Sequence, residues 1–234
     1  MTQQQEQAEL CGLIPEENDP GFVAQHLSAY AFVQPRIVGQ RVLEVGFGDG
    51  YGMAYLAKAA RELVGVDIAP GNVPRAQAKY PAPNLTFQQF DGLRLPFSEG
   101  EFDAVFAFQV IEHIPQLQLI PWLTEIRRVL KEGGHFYLST LNLEHAQKPG
   151  QPYQKLVYHE KEFTAPELTA LLGQVFEKVT LFGLHPTLKH RFFRRLKRWG
   201  ILVKGYFNRM GVGDFVVTRS RVRRAIDLYA ICEK

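Results

Sequence analysis

Cysteine is nearly absent from this sequence, with only Cys11 and Cys232 among 234 residues. Two cysteines so far apart form neither a disulfide framework nor a zinc site of spaced pairs, so we expect a cytosolic protein. No apolar run reaches the roughly 18 residues that a membrane-spanning helix needs. The first residues, MTQQQEQAEL, have no basic region followed by an apolar one, so we expect a polar tail over 1–20 and no secretory signal.

The composition is ordinary, but the charge is unevenly distributed. Hydrophobic residues make up 46% and charged residues 22% of the chain, which is typical of a globular protein, and the length suits one domain over 1–234. Residues 1–185 contain 14 Lys/Arg and 21 Asp/Glu, a net charge of −7. Residues 186–234 contain 13 Lys/Arg and 3 Asp/Glu, a net charge of +10. The overall charge of +3 therefore combines an acidic body with a strongly basic end.

The most informative stretch is a glycine-rich turn, VLEVGFGDGYG over 42–52. Its apolar start, which contains Glu44, indicates a buried parallel strand, and the following residues 53–60 suit a helix. Glycines recur through the turn, at Gly46, Gly48, Gly50 and Gly52. Because glycine has no Cβ, such a backbone can approach a ligand closely. A turn between a strand and a helix is where open α/β sheets bind nucleotide-like ligands.

A second carboxylate follows at the end of the next apolar run. Residues 63–67 read LVGVD, and Asp67 comes 19 residues after Gly48. A carboxylate at the tip of a second strand can accept hydrogen bonds from both hydroxyls of a ribose. The pair would also suit a dinucleotide, although the spacing is G-x-G-x-G rather than G-x-G-x-x-G, which disfavours that alternative. On these residues alone both cofactor types stay open.

Three further motifs follow in order: Asp91-Gly92 after an apolar run, FDAVFAFQVIEH over 102–113, and LKEGGHFYLST over 130–140. With the glycine turn and Asp67, they resemble the class I S-adenosylmethionine-dependent methyltransferases of the small-molecule type. The resemblance implies an α/β, Rossmann-like fold, with a seven-stranded, mostly parallel sheet, helices on both faces and an antiparallel last strand. Apolar runs predict strands over 41–46, 63–67, 85–90, 102–108, 135–140, 177–183 and 225–232.

The resemblance implies that S-adenosylmethionine lies over the glycine turn. Glu44 would fix the turn and meet the ammonium group of the cofactor, and Tyr30 would touch its methionine end. Asp67 would take the ribose hydroxyls, and Ile68 would pack on the adenine. Asp91 would accept the adenine amino proton, and Gly92 or Leu93 would donate to a ring nitrogen. The remaining expected contacts are Gly46, Phe47, Gly48 and Gly50 in the turn, and Gln109 and Val110 near the sulfonium.

The reaction itself depends mainly on aligned approach of the acceptor, because a sulfonium is already activated. An oxygen acceptor would also benefit from a base, and the candidates are His113 and His159. A packing role for His113 and a surface role for His159 stay open as alternatives. Some related enzymes of quinone biosynthesis carry E-x-x-E-H after strand four, with acids that can bind a divalent metal. Here Gln109 replaces the first acid, so we expect no metal.

The basic insertion over 186–210 contains eight Lys/Arg and no acid. Its apolar residues fall on one helical stripe, formed by Phe192, Leu196, Trp199 and Val203. Through residues 189–209 such a segment suits an anionic membrane surface. The alternatives are a lid over the acceptor, a helix packed on the core with a solvated basic face, and, less favoured, a nucleic-acid contact.

We therefore predict a methyltransferase that acts on a small-molecule acceptor, lipid-linked or anionic, in the cytoplasm or peripherally on a membrane. Oxygen is favoured as the acceptor atom, since the [DNS]-P-P-[YFW] motif of amino-group methylation is absent after strand four. A rival enzyme class is a nicotinamide-dependent Rossmann oxidoreductase. A rival without catalysis is a cofactor-binding or membrane-recruitment module. No oligomeric state follows from the sequence.

Overall fold

A computed structural model describes residues 12–92, 94–147, 152–153 and 155–234. Eight strands form one sheet in the order β3-β2-β1-β4-β5-β8-β6-β7. Their bounds are β1 Arg41–Val45, β2 Glu62–Asp67, β3 Leu85–Gln89, β4 Phe102–Phe108, β5 Leu130–Leu141, β6 Lys178–Pro186, β7 Phe215–Thr218 and β8 Asp227–Glu233. Leu93 and residues 1–11 of the predicted tail lie outside the described ranges.

Eight α-helices accompany these strands within the described residues. They are α1 Pro20–Val33, α2 Tyr51–Leu56, α3 Asn72–Lys79, α4 Leu119–Val129, α5 Leu143–Ala146, α6 Ala165–Leu172, α7 Leu188–Arg198 and α8 Lys204–Phe207. Polar side chains cap the first turns of several of these helices. Asp19 caps α1 by accepting from the amide of Gly21, and Thr164 forms a capping box with Glu167 at the start of α6. Over the same residues, no helix has the length and apolar character needed to cross a bilayer.

Helices cover both faces of the sheet because neighbouring residues in its central strands point to opposite sides. In β1, Val42 belongs to the apolar cluster covered by α1, α2 and α3, whereas Leu43 belongs to the cluster covered by α4 and α6. Phe106 and Ala107 of β4 alternate in the same way. Strands buried on both faces are largely apolar, and Glu44 is a buried exception in β1. The predicted Rossmann-like α/β fold is therefore confirmed.

The strand directions place the functional loops at one edge. Strands β1, β2, β3, β4 and β5 pair in parallel, so the turns that follow β1 to β4 meet at the carboxyl edge of the sheet. Strand β8 lies antiparallel between β5 and β6, which confirms the expected direction of the last strand. Consequently β6 runs parallel to β5 and also ends at the carboxyl edge.

The predicted count of seven strands was wrong, because eight are present in the described residues. The additional strand is β7, four residues that pair antiparallel with the end of β6. A four-residue strand carries almost no periodic signal, and its conformation depends on a pairing partner distant in sequence.

The start of β5 also differs from the prediction of 135–140. Leu130 already pairs with Phe102, and the register shifts before His135 pairs with Ala104. Gly133, with a positive φ of 70°, therefore lies in an irregularity inside the strand rather than at the end of a helix. Helix α4 accordingly ends at Val129.

Asn142 connects the end of β5 to the turn that precedes β8. Its buried Nδ2 donates to the carbonyl of Ala225 at 2.8 Å and, at longer range, to those of Val222 and Arg223. Its Oδ1 accepts from the amide of Glu144 at 3.1 Å. One side chain thus holds together two segments at the carboxyl edge.

We expect Asn142→Ala to lower the free energy of unfolding by about 1–3 kcal/mol, because it removes the donor to the buried carbonyl of Ala225. Urea unfolding followed by circular dichroism measures this change. Asn208→Ala, at an exposed position, is the control and should change stability by less than about 0.5 kcal/mol. Equal effects of the two substitutions would contradict the role assigned to Asn142.

Candidate functional site

The glycine turn joins β1 to α2 through a backbone that requires glycine. Gly46, Gly48 and Gly50 all have positive φ angles, of 80°, 58° and 91°. A Cβ on Gly46 would lie 2.7 Å from Cγ2 of Val110, and one on Gly50 would lie 3.0 Å from the Cβ of Ala76. Val110 and Ala76 therefore pack against the turn from two sides, and its shape requires glycine, which has no side chain, at these positions.

Asp67, at the end of β2, holds this turn in place. One carboxylate oxygen accepts from the amide of Gly48 at 2.8 Å, and the other accepts from the amide of Ala69 at 2.9 Å. The side chain is 4% exposed, and burial raises its pKa. Hydrogen bonds from the side chain of Asn72 and the amide of Ile68 also reach this carboxylate and, with those of Gly48 and Ala69, oppose the rise in its pKa. Its expected bonds to a ribose stay a prediction.

Glu44 and Tyr30 form a buried pair beneath the turn. The Tyr30 hydroxyl donates to Oε1 of Glu44 at 2.6 Å, and Oε2 of Glu44 is buried without a hydrogen-bond partner among the described residues. Burial, followed by the nearby Asp67 carboxylate, raises the pKa of Glu44 to about 8, although the Tyr30 bond opposes this. The Tyr30 ring also covers Gly52, where a Cβ would lie 1.9 Å from the ring. One oxygen of Glu44 thus needs a partner that the described residues do not supply.

The side chain of Phe47 points from the turn into the core. Its ring packs 5.0 Å from that of Phe87. Asp49, which the sequence did not single out, is nearly inaccessible and binds Arg75 at 3.0 Å, Lys79 at 3.1 Å and Tyr80 at 2.7 Å. These contacts fix the turn to α3 and its end. In the sequence, the only sign of this role was an acid among glycines. Its partners lie in a later helix, so the sequence pattern did not reveal them.

The expected adenine side is formed by the turns after β2 and β3. Ile68 is 60% exposed, and a Cβ on Gly92 would come within 3.3 Å of its Cγ2. Asp91 is exposed next to them, while Leu93 lies outside the described residues. The structure thus brings Ile68 and Gly92 together, with an apolar surface facing outwards.

The turn after β4 contacts the glycine turn directly. Gln109 has a left-handed φ of 57°, and both its amide and its side chain donate to Ser139, at 2.9 Å to the carbonyl and 3.2 Å to Oγ. Such a backbone is uncommon for residues other than glycine and persists where neighbours enforce it. This conformation directs Val110 against Gly46.

His113 and His159 meet although 46 residues separate them in sequence. Their ring centroids lie 5.0 Å apart, and Nδ1 of His113 donates to the carbonyl of Tyr158 at 2.9 Å. The carbonyl of Glu112 accepts from the amides of Glu160 and Lys161, at 2.7 Å and 3.2 Å. These bonds join the turn after β4 to the segment before α6.

Two buried acids complete this region, and the sequence did not assign a role to either. Nδ1 of His159 lies 2.7 Å from Oε1 of Glu162, whose Oε2 is buried and has no partner within the described part of the chain. Glu112 accepts from the hydroxyl of Thr140 at 3.0 Å, and burial raises its pKa to about 8. Burial also raises the pKa of Glu162 and lowers that of His159. The Glu112–His113 pair is adjacent in sequence and was noted there. The acid Glu162, three residues after His159, was the sequence signal for the second pair and was overlooked.

The side chains of the predicted apolar stripe in the basic insertion do not all face the protein. Phe192 and Trp199 are exposed, whereas Leu196 and Val203 are half-buried. On the inner side of α7, buried His190 approaches the Tyr206 hydroxyl at 3.2 Å. The helix also ends at Arg198, before the predicted stripe does. The segment therefore packs through one face and leaves aromatic and basic side chains outside.

Comparisons with known proteins agree with this geometry. Residues 43–138 match the family described as "Methyltransferase domain". A Mycolicibacterium smegmatis protein named "Probable S-adenosylmethionine-dependent methyltransferase" is 36% identical over 160 residues, which are 68% of this chain and 59% of that protein. A fatty-acid O-methyltransferase of the same organism is 36% identical over 105 residues, 44% of this chain and 38% of that protein. The chain thus spans about three fifths of the first relative's length.

A solved structure shares the fold. The Burkholderia thailandensis 1,6-didemethyltoxoflavin-N1-methyltransferase, determined with that compound and S-adenosylhomocysteine, superposes with a TM-score of 0.60 at 18% identity. The superposition covers 91% of this chain and 80% of the other. At this identity the likeness supports the arrangement of strands and helices.

We expect Glu44→Gln to reduce the pH dependence of stability. With a pKa of about 8 against a usual 4.5, folded Glu44 keeps a proton that the unfolded chain releases between these values. The stability that this proton contributes is therefore complete below pH 4.5 and lost as pH rises towards 8. Between these values the free energy of unfolding falls with a limiting slope of about 1.4 kcal/mol per pH unit. Urea unfolding across this range should show a shallower decline in the variant. Glu62→Gln, at a partly exposed position in β2, is the control, and an unchanged slope in Glu44→Gln would contradict the assignment.

Proposed function

Because this chain belongs to the class I S-adenosylmethionine-dependent methyltransferases, we propose that it transfers the methyl group of S-adenosylmethionine to a small-molecule acceptor. The observation that carries this proposal is the left-handed glycine turn between two buried carboxylates, Glu44 and Asp67. Oxygen is the favoured acceptor atom. A fatty-acid O-methyltransferase among the relatives supports a lipid-like acceptor, and the single-domain division over 1–234 remains part of the proposal.

The residues at the turn fit the cofactor by their chemistry and arrangement. Oε2 of Glu44 is buried without a partner among the described residues, and an ammonium group at the turn would supply the missing donor. Asp67 ends β2 beside the turn, where its carboxylate would accept from ribose hydroxyls. Ile68 offers an exposed apolar surface to an adenine, with Asp91 and Gly92 beside it. Gly46, Gly48 and Gly50 have positive φ angles, which give the turn a backbone shape that other residues rarely adopt.

The cofactor supplies a methyl group on a positively charged sulfur, whose bond to carbon breaks as the acceptor–carbon bond forms, with the electron pair left on sulfur. The protein's part is to align the two reactants and exclude other nucleophiles. Val110 packs against Gly46 of the glycine turn, and its carbonyl accepts from the His113 amide at 2.9 Å. We therefore place the acceptor between Val110 and the two histidines.

His113 and His159 are proposed to act on the proton of an acceptor hydroxyl. A hydroxyl is a weak nucleophile until its proton is withdrawn, so groups that favour its loss speed the reaction. Glu162 lies 2.7 Å from Nδ1 of His159 and holds the ring of this histidine.

The basic segment over 189–209 is proposed to bind an anionic membrane surface from the cytoplasmic side. Leu188 and Phe192 are exposed on α7, and Leu202 beyond it is 95% exposed. Exposed arginines surround them, at Arg191, Arg194, Arg195 and Arg198. Apolar side chains between cations are suited to the boundary between lipid headgroups and acyl chains. Nucleic acid lacks an apolar layer to receive those side chains.

Calorimetric titration tests the cofactor assignment. We expect S-adenosylhomocysteine to bind one site per chain and NADH not to bind. Asp91→Ala should weaken binding about 10-fold or more, since a carboxylate hydrogen bond to the adenine is lost. Glu99→Ala, an exposed acid on the same loop, is the control and should bind normally. Binding of NADH without S-adenosylhomocysteine would overturn the proposed function.

Flotation with lipid vesicles tests the membrane proposal. We expect binding to vesicles that contain phosphatidylglycerol and little binding to phosphatidylcholine alone. The triple variant Arg194→Gln, Arg195→Gln, Arg198→Gln should bind about 100-fold more weakly, at about 1 kcal/mol per cation. The matched control removes three exposed cations elsewhere, Lys58, Arg94 and Lys178. Equal binding by both triple variants would contradict the assignment to α7.

A further inference from the structure

We propose that Glu112, His113 and His159 form a binding site for one divalent transition-metal ion, with Zn²⁺ as the reference ion. One ligand atom from each of the three side chains lies within 4.8 Å of the other two. Two imidazoles and a carboxylate are a common ligand set for such ions, and a fourth position then stays open for water or substrate. The sequence-based expectation of no metal rested on Gln109 alone.

The outer contacts of both histidines favour metal binding. Nδ1 of His113 donates to the Tyr158 carbonyl, and a carbonyl only accepts, so that nitrogen carries the proton. Nδ1 of His159 faces Oε1 of Glu162 at 2.7 Å. Both rings therefore keep Nε2 for a ligand. Metal-binding histidines almost always have their other ring nitrogen bonded to a carbonyl or carboxylate in this way.

The third protein ligand, His159, is brought to the site by the tertiary structure and not by a local sequence motif. Gln109 is outside the cluster, since its side chain donates to Ser139. His159 instead arrives from the segment before α6, which the Glu112 carbonyl fixes through the amides of Glu160 and Lys161. The ligand set thus combines one turn after β4 with a chain segment more than 40 residues later.

Burial and access are also suited to an ion. Glu112 is almost fully buried and Glu162 is buried behind His159, so the inner side is acidic and closed. His113 is exposed, which leaves an entry path from solvent. Two imidazole ligands favour Zn²⁺ and similar ions over Mg²⁺, which prefers oxygen ligands and keeps its waters.

The consequence for the reaction rests on the proposed function. An ion at this site would lower the pKa of an acceptor hydroxyl that enters its open position, and the proton would pass to solvent. The two histidines would then act on the acceptor through the ion. Binding of the ion itself does not depend on that reaction, so the two proposals can fail separately.

Calorimetry on the metal-stripped full chain, without cofactor or acceptor, tests the site. We expect one Zn²⁺ per chain, with tighter binding than Mg²⁺. His113→Asn and His159→Asn should each weaken Zn²⁺ binding at least about 10-fold. Glu162→Gln should weaken it about 10- to 100-fold, because the ring of His159 loses its fixed orientation. His135→Asn is the control and should bind as the wild type does, because His135 pairs with Ala104 near the other end of β4.

Thermal unfolding of each variant without metal distinguishes a lost ligand from a lost fold. A variant that unfolds like the wild type and binds Zn²⁺ weakly supports the site. If a ligand variant unfolds at a lower temperature than the wild type, the wild-type chain provides the test, because bound Zn²⁺ must raise the unfolding temperature of that chain. Failure of the wild type to bind Zn²⁺, or equal binding by His159→Asn and His135→Asn, would overturn the proposal. The histidines would then act as bases without an ion.

Discussion

The carboxylate of Asp67 is the interaction on which the rest of the site depends. By accepting from the amides of Gly48 and Ala69, it joins the turn after β1 to the turn after β2. Three glycines of the turn have positive φ angles and contribute no side-chain contacts of their own. An acid from the neighbouring strand therefore helps to fix its shape, and the backbone of the turn is held in place by the protein itself.

Two further residues support this turn from below and from the side. Tyr30 lies over Gly52 and donates to Glu44, while Asp49 joins the turn to Lys79 and Tyr80. Each contact brings a buried acid close to the glycines. Burying carboxylates is unfavourable for a folded protein unless a partner or ligand compensates. Asp49 and Asp67 have such partners in the protein, whereas Oε2 of Glu44 has none among the described residues.

The parts predicted from sequence were those with local signals. Glycine spacing, apolar runs and strand-end acids located the Rossmann-like sheet, the turn at Gly46 to Gly50, and the carboxylate at Asp67. The missed parts depend on pairing between distant segments. Strand β7 forms only beside the end of β6, and β5 extends back to Leu130 because it pairs with Phe102. The meeting of His113 with His159 and Glu162 was likewise invisible, since hydrogen bonds of the Glu112 carbonyl create it.

Strand β7 has a consequence for how molecules of this protein behave at high concentration. Among the described residues it forms one outer edge of the sheet, and it is four residues long. Long, flat edges can template pairing with another chain and lead to aggregation. Strand β7 is short, and Arg219 follows it directly with its guanidinium 5.1 Å from the centre of the Phe182 ring. A short edge next to a cation offers little on which a second sheet could grow.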